Sequence, residues 1–410
     1  MLDLMKLARQ MQGISHHLTQ EAAAARIRVE TARRLSETAV ERQGQLVEQL
    51  EEWGDRAAFT AAQPVEPLMT RVSLGVAPEA HTVIATDGSQ ISPSHHEIAY
   101  CYLINVGRIV LHYGQGRFPL LDSLPEVIYR PEDLYLSRPW GISTEEWMGH
   151  RRTIAEAVVL AELGEAVRAQ LGPKNSTTAE VQPSAPASVP PLLAMVDGSL
   201  IYWFLDSLPA EARQHILPPI LAAWERLRRQ GIPLVGYLSA SRSGEGLNFL
   251  RLAACPFPQP DCQSHCQGQS DKAPCSTFMP LRDATFWATQ LEPGQRSPFW
   301  RSSASILDQY GDHAVYFCYL HVGAEVARVE VPQWVMADAD RCTLALRMVL
   351  TQVQKGYGYP VALAEAHNQA VVRGGDRSRF FALLEQEMIR AGLRNVGTSY
   401  KEARKRGSVA

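Results

Sequence analysis

The stretches "VIATDGSQISPS" (residues 83–94) and "LLAMVDGSLIYW" (residues 192–203) decide the fold. In each, an apolar run typical of a buried β-strand ends on Asp-Gly-Ser. One Asp-Gly after a strand is a common turn signal. Two copies, each closing a strand, predict that Asp87 and Asp197 lie at the same end of one sheet. Because two carboxylates there repel each other, a divalent cation such as Mn²⁺ or Mg²⁺ is expected beside them.

The order of elements around these strands predicts an α/β fold. "IAYCYLINVG" and "RIVLHYG" predict a hairpin that turns near Asn105–Gly107. A helix is predicted from about Thr144 to Gln170, capped by Ser143 or Thr144. Three antiparallel strands, a crossover helix and a returning strand together predict a ribonuclease H-like mixed sheet flanked by helices.

The rest of the chain divides by composition. A helical N-terminal arm is predicted for residues 1–75, and the main domain is predicted for residues 76–410. Residues 172–191 contain five prolines and no aromatic residue, as expected of a flexible linker within that domain. Residues 241–300 form an insertion with a cysteine cluster, and "AVYFCYLHVG" and "VARVEVP" predict a further hairpin.

Charge and hydropathy limit the class of protein. The net charge is −3, so any contact with nucleic acid must come from local basic patches. No apolar run reaches the roughly 18–20 residues of a membrane span. The N-terminal "MLDLMKLARQMQG" lacks the continuous apolar core of a secretory signal. A cytoplasmic protein with no membrane contact is therefore expected.

Two further segments carry candidate site residues. The predicted helix between the aspartates offers Glu156, four residues after Arg152, with Glu162 as the alternative carboxylate. In "GYGYPVALAEAHNQAVV" (356–372), Tyr359 and His367 are eight residues apart, a little over two helical turns, so both can face the same way. Neutral imidazole binds Mn²⁺ and can act as a base on water.

The cysteines are unevenly distributed. Four lie in 21 residues with the spacing C-x6-C-x3-C-x8-C: Cys255, Cys262, Cys266 and Cys275. This spacing differs from the paired C-x2-C of common zinc ribbons. It leaves open a zinc site, an iron–sulfur cluster or reduced thiols without metal. The other three lie singly in apolar runs and are predicted to be buried thiols: Cys101, Cys318 and Cys342.

Four motifs in this order resemble the NurA family of DNA-end-processing nucleases. They are the two Asp-Gly-Ser motifs "DGSQ" and "DGSL", "VARVEVPQW" (326–334) and "YPVALAEAH" (359–367). The resemblance runs from about residue 80 to 372. It implies a ribonuclease H-like core, two divalent cations with Mn²⁺ preferred, and 5′-to-3′ exonuclease and single-strand endonuclease activity in double-strand break processing. It also implies a homodimer and a HerA-type hexameric ATPase as partner.

The resemblance also implies site residues. The catalytic set comprises Asp87, Glu156, Asp197, Tyr359 and His367. The cation ligands are Asp87, Glu156, Asp197 and His367. The family glutamate falls within residues 152–163, and the linker lengthens the usual gap between it and the second aspartate. Arg242, at the end of "GYLSASR", is expected to contact the DNA backbone.

Two other classes compete with a nuclease. "DGSQIS" resembles the D-x-S-x-S pattern of von Willebrand-type metal-dependent binding modules, with one residue too many between its serines. A non-catalytic clamp that loads an ATPase on DNA is the other. No G-x-x-x-x-G-K-[ST] motif is present, so ATP-driven movement would come from a partner.

Overall fold

The computed structural model describes residues 4–93, 100–172, 189–269 and 273–392. Its strands are β1 (Gln63–Pro64), β2 (Val72–Ser73), β3 (His81–Ile91), β4 (Tyr102–Tyr113), β5 (Leu120–Ile128), β6 (Leu192–Asp197), β7 (Leu234–Leu238), β8 (Gln295–Arg296), β9 (Trp300–Arg301), β10 (Val315–His321) and β11 (Val326–Pro332). Its helices are α1 (Leu4–Glu41), α2 (Gln43–Trp53), α3 (Pro131–Leu134), α4 (Thr144–Leu171), α5 (Ala210–Arg229), α6 (Glu245–Ala254), α7 (Cys262–Cys266), α8 (Asp283–Trp287), α9 (Gln333–Met336), α10 (Ala339–Lys355), α11 (Val361–Ala370) and α12 (Gly374–Arg390). Within these ranges, none of the helices combines the length and the apolar character needed to cross a membrane.

The architecture is mixed α/β, with helices flanking strands that pair in both directions, as the sequence predicts. The chain divides into two compact units. The first unit comprises Met1–Gly75, Gly198–Trp203 and Gly236–Ala337. The second comprises Val76–Asp197, Phe204–Val235 and Asp338–Ala410. Residues 173–188, most of the predicted linker, lie outside the described residues.

The second unit is built on strands in the order β6-β3-β4-β5. Strand β3 pairs antiparallel with β4 and parallel with β6, and helix α4 lies between β5 and β6 in the chain. Helix α4 begins as predicted: the Ser143 hydroxyl accepts a hydrogen bond from the Glu146 N–H at 3.2 Å. The sheet order and the direction of β6 bring the C-terminal end of β6 beside Asp87 of β3.

The predicted hairpin near Asn105–Gly107 is wrong, because β4 runs unbroken through these residues. They pair with β3 on one side and with β5 on the other. Residue types that are typical of turns occur here because of a tertiary contact with helix α11. A Cβ on Gly107 would collide with the Ala366 carbonyl and lie 2.6 Å from the Ala370 nitrogen, both in α11. Asn105 donates a hydrogen bond to the Ala370 carbonyl at 2.8 Å. Glycine and asparagine stand here because the backbone of α11 crosses the strand closely.

Replacing Gly107 with Ala is therefore expected to destabilise the protein by about 1–3 kcal/mol, the range for overpacking a well-packed contact. The new methyl group meets backbone atoms of α11, which cannot rotate away. Urea denaturation of both proteins measures the loss. Gly149→Ala is the matched control, because nothing lies within 4 Å of a Cβ at that helical position. It should be neutral or stabilising by up to about 1 kcal/mol. Equal effects of the two substitutions would contradict the close crossing.

The first unit has strands in the order β1-β9-β10-β11-β7, with β7 contributing Gly236–Leu238. The predicted hairpin of β10 and β11 is confirmed, with Val315 opposite Pro332 and His321 opposite Val326. Helices α1 and α2 pack on this unit through one apolar face. Together with helix α6 and strand β10, this face forms one buried cluster. The cluster includes Ala32, Ala39, Leu46, Leu50, Leu247, Phe249 and Phe317.

Candidate active site

The parallel pairing of β3 and β6 places the two Asp-Gly-Ser motifs at one edge of the sheet. The register runs from Thr82 opposite Leu192 to Thr86 opposite Val196. Asp87 and Asp197 each follow this last pair by one residue. The predicted end of the first strand at Asp87 is wrong, because β3 continues to Ile91 in its pairing with β4. Its parallel pairing with β6 does stop at Thr86, so the residues that follow the last pair lie side by side. Two carboxylates that are 110 positions apart in the sequence are therefore neighbours in the fold.

Helix α4 brings a third carboxylate to this edge. The Thr86 hydroxyl donates to the Glu156 carbonyl at 3.0 Å, which ties the helix to β3 one residue before Asp87. The Glu156 carboxylate forms an ion pair with Arg152 Nε at 3.2 Å, one helical turn earlier. The alternative, Glu162, is exposed on another face of the helix. We call Asp87, Glu156 and Asp197 the carboxylate cluster.

The carboxylate cluster is electrostatically strained. Burial raises the pKa of Glu156 to about 7, Arg152 opposes this rise, and the Asp87 and Asp197 charges add to it. Burial also raises the pKa of Asp197, and Asp87 adds to the rise. The side chains of Asp87 and Glu156 are only 22% and 24% exposed. Like charges held together with little access to water favour a proton or a cation among them.

Helix α11 supplies an imidazole, and the segment just before it supplies a phenol. His367 Nδ1 donates to Asp87 Oδ2 at 2.8 Å, so Nε2 is the ring atom available to a ligand. The His367 side chain is 64% exposed, so that atom is accessible. Tyr359, just before the helix, hydrogen-bonds to the Asp197 carboxylate. The two residues predicted from their spacing therefore contact the two predicted aspartates: His367 contacts Asp87 and Tyr359 contacts Asp197.

Buried polar groups fix α11 at both ends. The Ser89 hydroxyl and the Asn105 amide both donate to the Ala370 carbonyl at its C-terminal end. At its N-terminal end, the side-chain oxygen of the fully buried Gln352 accepts from the Ala362 N–H at 3.0 Å. Carbonyls and N–H groups at helix ends lack partners within the helix, so these side chains complete them. The position of His367 is therefore set by buried contacts.

A family model, the NurA domain, matches residues 81–372. The chain belongs to the NurA family. The resemblance inferred from the sequence motifs is thereby confirmed, and the matched range contains every residue of the carboxylate cluster together with Tyr359 and His367. Among solved structures, this NurA-family chain is similar to the crystal structure of the NurA nuclease from Sulfolobus solfataricus, with a TM-score of 0.47 and 11% sequence identity. That similarity covers 95% of this chain and 98% of the other. No curated protein matches the chain.

The glycines of the two Asp-Gly-Ser motifs serve different physical purposes in this NurA-family chain. Gly198 has a φ of +114°, a conformation that side chains disfavour. Gly88 has no such strain. A Cβ there would collide with the Glu156 carboxylate and approach Arg152 Cγ to 2.6 Å. The first glycine therefore makes room for the third carboxylate and the second allows the chain to turn.

Other predicted site residues lie elsewhere. Arg242 is exposed and belongs to the first unit, where it lines a cavity with Trp203 and Ser239. Sequence reasoning gave no role to Arg152, which neutralises Glu156, although the four-residue spacing of the two was visible. It also missed Asn105 and Gln352 as supports of α11.

The burial predicted for the three isolated cysteines is confirmed: Cys101, Cys318 and Cys342.

Proposed function

We propose that this chain is a divalent-metal-dependent deoxyribonuclease whose active site comprises the carboxylate cluster, Tyr359 and His367. The observation that carries the proposal is the convergence of three carboxylates from β3, α4 and β6, with the pKa of Glu156 raised to about 7. A protein built only for stability gains nothing from crowding three acidic groups. Strongly perturbed carboxylates around an accessible imidazole are typical of catalytic sites.

The donor set fits Mn²⁺ or Mg²⁺. Carboxylate oxygens suit both ions, and an imidazole also suits Mn²⁺. Within the described ranges, no group of three or more His, Cys, Asp or Glu side chains is already arranged to hold a metal ion, so binding would require local adjustment. Asp87, Glu156, Asp197 and His367 are the residues that would hold such cations. Bound cations would activate a water molecule and stabilise the charge on the leaving alkoxide.

The chain's own groups divide the remaining work. The hydrogen bond from His367 Nδ1 to Asp87 selects the tautomer with a free lone pair on Nε2. That single lone pair can bind a cation or accept a proton from an attacking water, one role at a time. Tyr359 orients the Asp197 carboxylate through its hydroxyl. Arg152 pairs with Glu156 and favours its charged form, which is the form that would bind a cation.

Family membership and topology support the finer parts of the proposal. Three consecutive antiparallel strands, helix α4 and the parallel strand β6 support a ribonuclease H-like core. We propose 5′-to-3′ exonuclease and single-strand endonuclease activity at DNA double-strand breaks, a homodimer, and a HerA-type hexameric ATPase as partner. Arg242 remains our candidate contact to the DNA backbone.

The direct test uses the full chain with end-labelled single-stranded DNA, first in EDTA and then with Mn²⁺ or Mg²⁺ added. We expect cleavage only after the cation is added, with Mn²⁺ more effective. DNA binding without cleavage under any cation would instead support the non-catalytic clamp. Failure to bind or cleave DNA would overturn the proposal.

His367→Gln is expected to lower cleavage by about 10²-fold, because it removes the Nε2 lone pair while preserving a polar side chain. A higher Mn²⁺ concentration for half-maximal rate would assign that lone pair to the cation, and an unchanged one would assign it to proton transfer. Rates measured across a Mn²⁺ titration check both effects. His17→Gln, at an exposed position on α1, is the control and should cleave like the wild type. A Mn²⁺ titration curve for His367→Gln that matches the wild type in both rate and midpoint would remove this residue from the site.

A further inference from the structure

The four clustered cysteines, the cysteine loop (Cys255, Cys262, Cys266 and Cys275), come together in the first unit. The first directly follows α6, the second and third are one turn apart on α7, and the fourth lies in the next short turn. All four line one small cavity.

A buried positive charge lies beside one of the four sulfurs. Arg251 is 1% exposed, and its guanidinium donates to the Cys275 sulfur at 3.6 Å. The same group lies 3.9 Å above the Phe59 ring. A zinc ion bound by four thiolates carries net negative charge, so a buried cation beside one sulfur stabilises it.

We propose that the cysteine loop binds one structural zinc ion through its four sulfurs. The cavity that the four cysteines help to line has a volume of about 10 Å³, which suits a single ion. A four-iron cluster needs room for its inorganic core between the ligands. The His265 ring stacks on Phe257 at 4.2 Å, so packing accounts for its place in the cavity wall.

Zinc binding would tighten this loop. Within the described ranges the sulfurs are not yet arranged to hold a metal, so the ion must draw them inward. The N-terminus of α7 is already held, because Asp261 accepts hydrogen bonds from the N–H groups of Gln263 and Ser264 at 3.1 Å. One turn of preformed helix presents two sulfurs to the ion, which lowers the entropy cost of binding.

The loop is tied to the N-terminal helices. Arg56 pairs with Asp261 at 3.1 Å, and Gln49 of α2 donates to the Pro258 carbonyl at 3.2 Å. Helix α6, which leads into the loop, shares its buried cluster with α1 and α2. A zinc ion in the loop would therefore stabilise the packing of the helical arm on the first unit.

Elemental analysis of the full chain, purified under reducing conditions, tests this directly. We expect about one zinc per chain, in line with a four-cysteine structural site. The double variant Cys262→Ser/Cys266→Ser should retain less than about a tenth of that zinc, because two of four ligands are lost. Cys342→Ser, a buried cysteine of the second unit, and Asp87→Asn should both keep it.

A second measurement covers the case in which the double variant fails to fold. Cobalt exchanged into the wild-type chain should show the visible absorption of a tetrahedral site with thiolate ligands. Iron with inorganic sulfide in place of zinc would overturn the proposal, as would the absence of metal or zinc retained by the double variant. Because Asp87→Asn serves as a control, this result is independent of nuclease activity.

Discussion

Asp87→Asn and Asp197→Asn should each lower Mn²⁺-dependent DNA cleavage by about 10³-fold or more, or about 4 kcal/mol of transition-state stabilisation. Asparagine keeps the size of the side chain and removes its charge. Each aspartate is expected to bind a cation, and Asp87 also orients His367 through the 2.8 Å hydrogen bond. Initial cleavage rates at saturating Mn²⁺, with DNA binding measured in parallel, give the effect.

The folded state should tolerate these changes. Removing one of several crowded carboxylates relieves repulsion, so thermal stability without metal should be equal to or above that of the wild type. Asp340→Asn is the matched control: this carboxylate is exposed in the first turn of α10. It should cleave at the wild-type rate. Retention of more than a tenth of the activity by both cluster variants would place the catalytic site elsewhere.

The second large effect concerns pH and stability in the absence of metal. The pKa of Glu156 in the folded protein is about 7, against an ordinary value of 4.5, chiefly because of burial. The folded state therefore holds this proton more tightly than the unfolded state. Its contribution is fully present below pH 4.5 and is lost as the pH rises through about 7. The loss is at most about 3 kcal/mol, and less where the 24% exposure of the side chain allows screening.

Urea denaturation in EDTA between pH 4.5 and 8 measures this loss as the difference between the wild type and Glu156→Gln. The difference is needed because three buried or partly buried histidines change stability in the opposite direction. Burial lowers their pKa, so their contribution to the stability of the folded state rises with pH: His81, His112 and His150. Glu156→Gln should gain stability over the wild type as the pH rises. Glu162→Gln, an exposed position on the same helix, should not.

Added Mn²⁺ should restore the stability of the wild type above pH 7 and leave that of Glu156→Gln less changed, because a cation relieves the same repulsion. Wild type and Glu156→Gln curves that stay parallel across this pH range would show that Glu156 is not held among like charges.

Two features of the fold show where sequence patterns reach their limit. The segment around Asn105 and Gly107 has the composition of a turn, yet it lies inside strand β4. The residues are set by α11, whose backbone comes from some 260 positions further along the chain. A local pattern contains no information about such a partner. The edge strand β5 was not predicted as a strand, because it contains Pro125 in its interior and proline within a run argues against a strand.

The choice between Glu156 and Glu162 shows the same limit in the site. Both lie on α4, and six positions turn a helix by about two-thirds of a revolution beyond one full turn. Only one of them can face the sheet edge, and the packing of α4 against β3 selects Glu156.

The sequence alone identified the two apolar strands that carry Asp-Gly-Ser, the capped helix between them, the Tyr359–His367 spacing and the four clustered cysteines. It did not show that β3 continues past Asp87 to Ile91. These signals are local, because apolar periodicity, capping and side-chain chemistry act over a few residues. The tertiary structure alone decided which glutamate meets the aspartates, why Gly88 and Gly107 lack side chains, and how His367 comes to lie on Asp87. Those outcomes depend on contacts between segments up to 280 positions apart, which only close packing of the folded chain brings together.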